Sequence, residues 1–325
     1  MKIVIYGYGN LGRGVECAAK QSPDAELVGI FTRRPLETVM SATGARVYRA
    51  TDIMRFKGEI DVLIICGGSA TDLPIMTPML ARHFNVVDSF DTHAKISEHL
   101  AAVDAAALEG GKAAVVCAGW DPGLFSVARL IFSAALPYGT DNTFWGRGVS
   151  QGHSDAIRRI DGVLDARQYT IPIPEAIATA RSDQAHIIPP RQRHRRECYV
   201  VAKEGADLAD IENKIKSMPD YFSDYDTTVT FITMNELIAN HSDLPHGGLV
   251  IRTGKTGLSY QHSHALELSI RLDSNPEFTG SLLISVARAL DKMAKRGVTG
   301  CKTMLDIPPA DYSRDPRDRL IDSLL

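Results

Sequence analysis

An apolar strand at the start of the chain runs directly into a glycine-rich turn, and this junction limits the possible folds more than any other feature. Residues 2–6 read Lys-Ile-Val-Ile-Tyr, and a G-x-G-x-x-G motif follows at Gly7, Gly9 and Gly12. The first glycine permits a tight strand-to-helix turn, the second lets a pyrophosphate approach the backbone, and the third allows close helix packing. Because residues 11–20 have a helical pattern, the motif indicates a dinucleotide-binding unit, with a plain βα turn as the alternative.

The end of the second apolar run indicates which dinucleotide is bound. Residues 27–31 lead into Thr32-Arg33-Arg34, where an NAD-binding domain has an Asp or Glu for the ribose 2′-hydroxyl about 20 residues after the glycines. A hydroxyl and two guanidiniums suit a 2′-phosphate instead, because Arg forms bidentate, charge-assisted bonds with phosphate. A solvated basic turn is the alternative. The sequence therefore predicts NADP(H) rather than NAD(H).

Composition excludes several classes of protein. The 325 residues suffice for two domains, and a formal net charge of -3 argues against general affinity for nucleic acid or an anionic membrane. No apolar run approaches the ~18 residues of a membrane span, and the first strand begins too early for a signal peptide. The five cysteines are dispersed, which favours reduced thiols and a cytoplasmic protein.

Strands and helices alternate over the first part of the chain. The apolar runs at residues 62–66 and 113–117 are typical of parallel strands buried on both faces, and residues 96–109 form an Ala-rich helical segment. We therefore predict an α/β fold in which residues 1–120 form a Rossmann-type, doubly wound parallel sheet. A helical pattern from Asn275 to Gly297 predicts that residues 275–325 return to this domain.

The pattern changes near residue 142, where shorter, half-buried strands begin. In residues 263–272 apolar side chains alternate with Glu267, Ser269 and Arg271. This period of two indicates an antiparallel sheet with one solvated face. Residues 121–274 are therefore predicted to form a second, α+β domain for substrate binding and dimerisation.

Two carboxylates follow strands of the first domain. Asp91 comes after the strand at residues 86–88, and Asp121 comes after the strand at residues 113–117. Ligands bind beyond the carboxyl ends of such strands, so these groups suit a cationic substrate and proton transfer. Helix capping and turn formation are the alternative.

Two further clusters have several interpretations. The basic segment from Arg191 to Arg196 fits nucleic-acid contact, a solvated face or a carboxylate receptor, and strand periodicity allows at most one of Arg195 and Arg196 to face inward. His262 and His264 have the spacing of a metal pair, but no third ligand is evident, so packing or interface roles are favoured and no metal site is predicted.

Several short motifs occur in order along the chain. They are Tyr8-Gly9-Asn10-Leu11-Gly12-Arg13, Gly68-Ser69-Ala70-Thr71-Asp72, Gly119-Trp120-Asp121-Pro122-Gly123, Thr143-Phe144-Trp145-Gly146, Ser150-Gln151-Gly152-His153-Ser154-Asp155, Met218-Pro219-Asp220-Tyr221-Phe222 and Pro245-His246-Gly247-Gly248. Together, from residue 3 to about residue 296, the chain resembles the meso-diaminopimelate dehydrogenase family. The resemblance implies a homodimer that uses NADP+ to deaminate the D-configured carbon of meso-2,6-diaminopimelate. The products are L-2-amino-6-oxopimelate, ammonium and NADPH, and the reverse reaction serves lysine biosynthesis.

The resemblance also implies roles for individual residues. The cofactor would be held by Gly7, Gly9, Asn10, Leu11, Gly12, Thr32, Arg33, Arg34, Ser69, Ala70 and Thr71. Asp91 and Asp121 would meet the reacting amine as catalytic groups. The substrate would be bound by Trp120, Trp145, Gln151, Gly152, Thr170, Arg196, His246 and Asn275, with Arg196 on the distal carboxylate.

Two residues depart from the family pattern. Arg147 stands where Pro is expected, and Leu124 stands where Met is expected. Arg147 would add a charge near the pocket, so substrate preference is the less secure expectation. The alternative functions are another NADP-dependent reductase, such as a dihydrodipicolinate-type reductase, and a protein that senses NADP(H) without turnover.

Overall fold

The structure is a computed structural model that describes residues 1–325, and the chain forms two compact units. The first unit contains Met1–Val127 and Pro276–Leu325, and the second contains Ala128–Asn275. The sequence placed the first boundary after residue 120. The first unit extends to Val127, since Phe125 is fully buried and meets the Trp120 ring edge-on, with 5.4 Å between ring centroids.

A parallel sheet of seven strands forms the core of the first unit, which confirms the predicted Rossmann-type fold. Numbered in chain order, its strands are β1 (Lys2–Tyr6), β2 (Glu26–Thr32), β3 (Val47–Arg49), β4 (Val62–Ile65), β5 (Val86–Asp88), β6 (Ala113–Val115) and β14 (Gly300–Lys302). Their spatial order is β14-β6-β5-β4-β1-β2-β3, and every neighbouring pair is parallel. All four side chains of β4 are fully buried, because helices cover both faces of the sheet.

Four helices of this unit divide between those two faces. They are α1 (Asn10–Gln21), α2 (Leu73–Ala81), α3 (Ile96–Gly110) and α10 (Asn275–Lys295), while α11 (Arg317–Leu324) has no buried residue. Side chains of α1 and α10 share one apolar cluster with Ile3 and Ile5, whereas α2 and α3 share the other with Val4 and Leu63. A Cβ at Gly280 would lie 2.4 Å from the Gly14 carbonyl carbon, so glycine is what lets α10 pack so closely against α1.

Strand β14 at the sheet edge was not predicted. Its sequence, Gly-Cys-Lys, has no apolar run, and it pairs with β6 through Gly300, Cys301 and Lys302. The Asp104 carboxylate in α3 accepts a 2.7 Å hydrogen bond from the Cys301 N–H. This strand therefore depends on tertiary contacts rather than on its own hydrophobic pattern.

The second unit contains two sheets, where the sequence indicated one antiparallel sheet. Their strands are β7 (Gly139–Trp145), β8 (Gly148–Val149), β9 (Val163–Pro172), β10 (His194–Ala202), β11 (Asp226–Phe231), β12 (His246–Thr256) and β13 (His262–Leu272). One sheet has the order β11-β10-β9-β8, and the other has the order β13-β12-β7. The predicted alternation in β13 is confirmed, since Leu266 and Leu268 are half-buried while Glu267 and Ser269 are exposed.

One strand pair of the second unit is parallel, so the antiparallel prediction is wrong there. Strands β10 and β11 run in the same direction, because α8 (Leu208–Lys216) connects them and returns the chain to the end at which β10 began. Its other helices are α5 (Gln151–Arg158), α6 (Pro174–Arg181), α7 (Pro190–Arg193) and α9 (Met234–His241), and α4 (Leu124–Ala135) straddles the unit boundary in sequence. None of the helices combines the length and hydropathy needed to cross a bilayer.

Candidate active site

The glycine-rich turn of the first unit has a backbone that other residues would not tolerate. Gly7 has φ +99°, and a Cβ there would lie 2.6 Å from the Cys66 carbonyl oxygen. A Cβ at Gly12 would lie 2.3 Å from the Gly7 carbonyl oxygen. At Gly9, by contrast, a Cβ would meet no atom within 4 Å. The first turn of α1, which begins at Asn10 and Leu11, is thus open to an anion that its N–H groups can bind.

The basic segment after β2 lies at the same turn. The Thr32 hydroxyl is buried and accepts a 3.1 Å hydrogen bond from the Arg34 N–H, so it shapes the segment. The Arg34 guanidinium donates to the Tyr8 carbonyl oxygen. Arg33 forms a 2.7 Å ion pair with Asp72, and 64% of its side chain is exposed. Both guanidiniums can therefore reach a phosphate group of a ligand at the glycine-rich turn.

Asp72 is a member of this site that sequence reasoning missed. Its carboxylate accepts a 3.0 Å hydrogen bond from the Gly68 N–H besides pairing with Arg33. Burial raises the pKa of Asp72, but the Gly68 hydrogen bond and Arg33 outweigh burial and hold it below the ordinary value. Asp72 thus connects the basic segment to the loop that follows β4.

Glu16 in α1 connects the glycine-rich turn to residues 41–43 through hydrogen bonds. This buried carboxylate accepts hydrogen bonds from the hydroxyls of Tyr8 and Ser41, and from the backbone N–H groups of Ala42 and Thr43 at 3.0 and 2.8 Å. The Thr43 hydroxyl adds another at 2.6 Å. Burial raises the pKa of Glu16, but these hydrogen bonds outweigh burial and lower it to about 2. The ionised Glu16 therefore ties residues 41–43 to the glycine-rich turn.

The loops after β4 and β5 meet at Ser69. Its hydroxyl oxygen accepts hydrogen bonds from the N–H groups of Asp91 and Thr92, at 2.9 and 3.1 Å. Ala70 and Thr71 are exposed beside it, and Asp91 is exposed as well. Ser69 thus fixes the backbone that carries one of the two candidate catalytic carboxylates.

Asp121 lies in the loop after β6. Its neighbour Trp120 is buried, and Gly123 closes the loop with φ +129°, where a Cβ would lie 1.9 Å from the Gly119 carbonyl oxygen. The Asp121 side chain is half-buried. Asp91 and Asp121 therefore follow adjacent strands, since β5 pairs with β6.

In the second unit, one face of β9 and β10 changes from apolar to polar along the strands. Ala166, Cys198 and Val200 lie in an apolar cluster. Further along the same face are Gln168, Thr170 and Arg196, all buried. Thr170 and Arg196 are cross-strand partners, and the Arg196 guanidinium donates to the Thr170 hydroxyl.

Arg196 is a buried cation with no carboxylate partner. Its guanidinium carbon lies 4.0 Å from the centroid of the Tyr225 ring, and its Nε atom is buried without a hydrogen-bond partner. The Oε1 atom of Gln168 is also buried and unpartnered. Burial lowers the pKa of Arg196. A carboxylate from a ligand would satisfy this group, since an unpaired buried charge is strongly destabilising.

Three imidazoles near Arg196 do not compete with it for an anion. Burial, followed by the Arg196 charge, lowers the pKa of both His153 and His194 to about 3. Burial also lowers the pKa of His246, with a smaller contribution from Arg196. These rings are neutral at neutral pH, so Arg196 supplies the positive charge of this site.

The other predicted substrate-binding residues of the second unit lie on separate elements. Gln151 begins α5, and a Cβ at Gly152 would meet no atom within 4 Å, so the first turn of that helix is accessible. A Cβ at Gly148 would lie 2.7 Å from Cγ of His246, which places the His246 ring against that glycine. The Trp145 N–H donates to Nε2 of His194 at 2.8 Å, and the Asn275 N–H donates to the Leu244 carbonyl oxygen at 2.9 Å.

Arg147 lies on the opposite side of this sheet from Arg196. Its guanidinium is 3.4 Å from the Glu197 carboxylate, and its guanidinium carbon is 5.5 Å from the Tyr169 ring centroid. Glu197 and Tyr169 are cross-strand partners one residue from Arg196 and Thr170, so they face the other way. The Arg147 charge therefore lies on the face of this sheet opposite Arg196.

The remaining basic and histidine residues have structural or solvated positions. Arg195 is exposed and Arg196 is buried, as strand periodicity predicts. Arg193 is half-buried and donates to the carbonyl oxygens of Thr143 and Ile188 at 3.2 and 2.9 Å, so it has a structural position rather than a solvated one. His264 is exposed and hydrogen-bonds the Thr256 hydroxyl at 2.8 Å.

Sequence reasoning missed several polar members of the Arg196 site. Gln168 lies two residues before Thr170 in the same strand. Because side chains two residues apart in a strand share a face, the sequence pattern could have placed Gln168 beside Thr170. His153 stands within the Ser-Gln-Gly-His-Ser-Asp segment. Tyr225 has no such signal, because only the tertiary fold brings its ring to Arg196.

Comparisons with known proteins show which family the chain is similar to. The family model described as "Diaminopimelic acid dehydrogenase C-terminal domain" matches residues 119–274. The meso-diaminopimelate D-dehydrogenase of Acetivibrio thermocellus is 52% identical over 326 residues, covering 100% of this chain and 98% of that protein. The same enzyme from Ureibacillus thermosphaericus is 54% identical over 308 residues, covering 95% and 94%.

Solved structures of similar proteins share the whole architecture. The C. glutamicum DAP dehydrogenase, solved in complex with DAP, has a TM-score of 0.94 and 42% identity, covering 100% of this chain and 99% of that chain. An engineered D-amino acid dehydrogenase bound to NADP+ has a TM-score of 0.91 and 40% identity, with the same coverage.

Proposed function

The chain belongs to the meso-diaminopimelate D-dehydrogenase family, and we propose that it oxidatively deaminates the D-configured carbon of meso-2,6-diaminopimelate with NADP+. The products are L-2-amino-6-oxopimelate, ammonium and NADPH, and the reverse reductive amination serves lysine biosynthesis. The observation that carries this proposal is the buried Arg196, which has no carboxylate partner within the protein. A diamino diacid supplies that carboxylate at its distal end.

The glycine-rich turn fits NADP+. Gly7, Gly9, Asn10, Leu11 and Gly12 would hold the pyrophosphate, because the first turn of α1 is open to an anion. Arg33 and Arg34 would bind the 2′-phosphate, with Thr32 fixing their backbone. Ser69, Ala70 and Thr71 would line the cofactor beyond β4. Bound NADP+ supplies the hydride acceptor for the reaction.

Asp91 and Asp121 would manage the protons of the reacting amine. The ammonium group must become neutral before the neighbouring carbon gives up hydride, so a carboxylate oxygen takes its proton. The resulting imine is hydrolysed by water, and Asp121 would take a proton from that water. Trp120, which is buried, would contact the substrate beside these carboxylates.

The second unit would bind the remaining groups of the substrate. Arg196 and Thr170, with His246 and Asn275, would hold the distal L-amino-acid end. Gln151 and Gly152, at the accessible first turn of α5, would hold the carboxylate of the reacting centre. Trp145, stacked on His194 with 5.3 Å between ring centroids, would shape this part of the pocket.

This function is favoured over the two alternatives. A dihydrodipicolinate-type reductase has no need for acidic groups that receive a leaving amine, and an NADP(H) sensor has no need for a carboxylate receptor such as Arg196. The relatives at 52% and 54% identity, which span nearly the whole chain, carry the dehydrogenase name.

We further propose that the protein is a homodimer located in the cytoplasm. A homodimer follows from the family resemblance, with the second unit supplying the dimer contacts. All five cysteines are free thiols, and burial raises the pKa of Cys117, Cys198 and Cys301 to about 12. Dispersed, buried thiols of this kind are typical of the reducing cytoplasm.

An isomer panel tests the function. Purified protein with NADP+ should form NADPH and release ammonium with the meso isomer of 2,6-diaminopimelate, but not with the LL isomer, and NAD+ should not replace NADP+. Equal turnover of D-alanine would contradict the assigned role of the distal carboxylate site. NADP+ binding without any turnover would favour the sensor, and NADPH oxidation without ammonium consumption would favour another reductase.

A further inference from the structure

Asp88 is a buried carboxylate at the carboxyl end of β5, and the proposed reaction gives it no role. Its side chain has no exposed surface. Isolated buried carboxylates are strongly disfavoured, so the groups that surround Asp88 show what it does.

Four hydrogen bonds satisfy this carboxylate. The Thr77 hydroxyl of α2 donates to Oδ2 at 2.7 Å, and Nε2 of His99 in α3 lies 2.7 Å from the same oxygen. The backbone N–H groups of Phe90 and Cys117 donate to Oδ1, each at 3.1 Å. Asp88 therefore joins two helices to the loops that leave two adjacent strands.

Those loops carry both proposed catalytic carboxylates. Asp91 directly follows Phe90, and Asp121 lies four residues after Cys117. The Asp88 carbonyl oxygen also accepts a 2.9 Å hydrogen bond from the Ala118 N–H. Cys117 itself has φ +57°, a conformation that non-glycine residues rarely adopt. The hydrogen bond from its N–H to Asp88 stabilises this conformation, which lies between β6 and the loop that carries Asp121.

His99 also stabilises the loop after β5, because its ring contacts Phe90. Its ring stacks on Phe90 with 4.1 Å between centroids and an interplanar angle of 16°. Nδ1 of His99 is buried without a partner, so Asp88 supplies the one hydrogen bond that orients the ring. Asp88 consequently fixes Phe90 through its backbone N–H and through the stacked imidazole.

We propose that Asp88 is a positioning residue that sets the separation of Asp91 and Asp121. This inference rests on the proposed function, because it takes Asp91 and Asp121 as the groups that handle protons. Asp88 is shielded from both substrate and cofactor by its burial, so it acts through the two loops.

Asp88→Asn tests the inference, with Asp61→Asn as the matched control. Asp61 lies next to the amino end of β4, and its carboxylate also accepts a backbone hydrogen bond, from the Lys2 N–H at 2.7 Å. A displacement of about 1 Å at reacting groups costs roughly 100-fold in rate. For Asp88→Asn with meso-2,6-diaminopimelate and NADP+, we expect kcat to fall roughly 10- to 100-fold. The Kd for NADP+ should stay within about twofold, since the glycine-rich turn is untouched.

Kinetics of the wild type and the variants distinguish failure of the proposed function from failure of the positioning role. An inactive wild-type protein would refute the proposed function rather than the role of Asp88. Active wild type with unchanged kcat in Asp88→Asn would overturn the positioning role, as would equal loss of kcat in Asp61→Asn. If Asp88→Asn does not fold, Thr77→Val removes only one donor to the carboxylate and should lower kcat with unchanged NADP+ binding. An unchanged kcat in Thr77→Val would then overturn the inference.

Discussion

The proposed substrate chemistry of the second unit depends on one side chain, Arg196. It is buried, its Nε atom lacks a partner, and the neighbouring imidazoles are neutral at neutral pH because burial lowers the pKa of His153 and His194 to about 3. A ligand carboxylate is therefore the group that completes this site.

Arg196→Ala should raise KM for meso-2,6-diaminopimelate. A hydrogen bond between charged groups contributes about 1.5–3 kcal/mol, which corresponds to roughly a 10- to 150-fold change in KM. Arg195→Ala is the matched control, because Arg195 is the exposed neighbour on the same strand. Steady-state kinetics for both variants distinguish the roles, and equal KM values for the two variants would place Arg196 outside the substrate site.

Arg33 and Arg34 should determine the choice of cofactor. Changing both to Ala should weaken NADP+ binding by at least about 100-fold, because two charge-assisted bonds to phosphate are lost. NAD+ binding should change far less, since NAD+ has a hydroxyl in place of the 2′-phosphate. Fluorescence titration with each cofactor measures the two Kd values. A similar loss for NAD+ and NADP+ would show that the segment only supports the turn through the Arg34 contact with Tyr8.

At the scale of single elements, the alternation of strand faces decides which charged side chains share a face with Arg196. Strands β9 and β10 direct Thr170 and Arg196 to one face, and Tyr169 and Glu197 to the other. The Arg147 side chain contacts Glu197 and Tyr169, so it lies on the face opposite Arg196.

Arg147→Gln should therefore leave substrate preference unchanged. The ratio of kcat/KM for meso-2,6-diaminopimelate to that for D-alanine should stay within about threefold, because a surface ion pair contributes only ~0–1 kcal/mol. Competing-substrate kinetics give this ratio directly. A tenfold shift towards D-alanine would mean that Arg147 acts on the pocket after all.

The elements also show what local sequence can and cannot predict. The buried runs of β1 and β4 and the glycine turn before α1 are visible because hydrophobic pattern and turn chemistry agree there. The strand pattern at residues 249–253 predicts only the middle of β12, since Gly247, Gly248 and Gly254 interrupt the pattern on either side. A Cβ at Gly248 would lie 2.3 Å from the Phe144 carbonyl oxygen, so the glycine is required by a neighbouring strand rather than by a turn.

The candidate site likewise contains residues that local sequence can identify and residues that it cannot. Arg196 stands out because it is a charged residue in an apolar strand, and Asp91 and Asp121 stand out because they follow strands. Asp72 and Asp88 also lie at the carboxyl ends of strands, but neither their contacts nor those of Tyr225 have a local signal. Their partners, Arg33, Arg196 and Cys117, lie 29 to 39 residues away along the chain and meet them only in the folded protein.

At the scale of the whole molecule, buried titratable groups should make stability depend on pH. The folded pKa values of His153 and His194, about 3, lie below the ordinary value of 6.5. The unfolded chain therefore binds protons that the folded chain does not as pH falls below 6.5, and stability decreases. Glu16 has a folded pKa of about 2 against 4.5, so its contribution is present above pH 4.5 and is lost as pH falls towards 2.

The free energy of unfolding should therefore fall in two steps as the solution is acidified. Urea unfolding at pH 7.5, 5.5 and 3.5 measures it. Glu16→Gln should be less stable than the wild type at pH 7.5, and the difference should shrink at pH 3.5. Glu37→Gln, an exposed change near the same loop, serves as control. A Glu16→Gln difference that is constant from pH 7.5 to 3.5 would contradict the assigned ionisation of Glu16.

In the proposed reaction, hydride leaves the D-configured carbon of meso-2,6-diaminopimelate. This step can be followed with substrate that carries deuterium only at that carbon, incubated with the protein and NADP+, by mass spectrometry of the reduced cofactor. We predict that the deuterium appears in the reduced nicotinamide and is absent from the L-2-amino-6-oxopimelate product. Unlabelled NADPH together with deuterium retained in the product would contradict the proposed reaction.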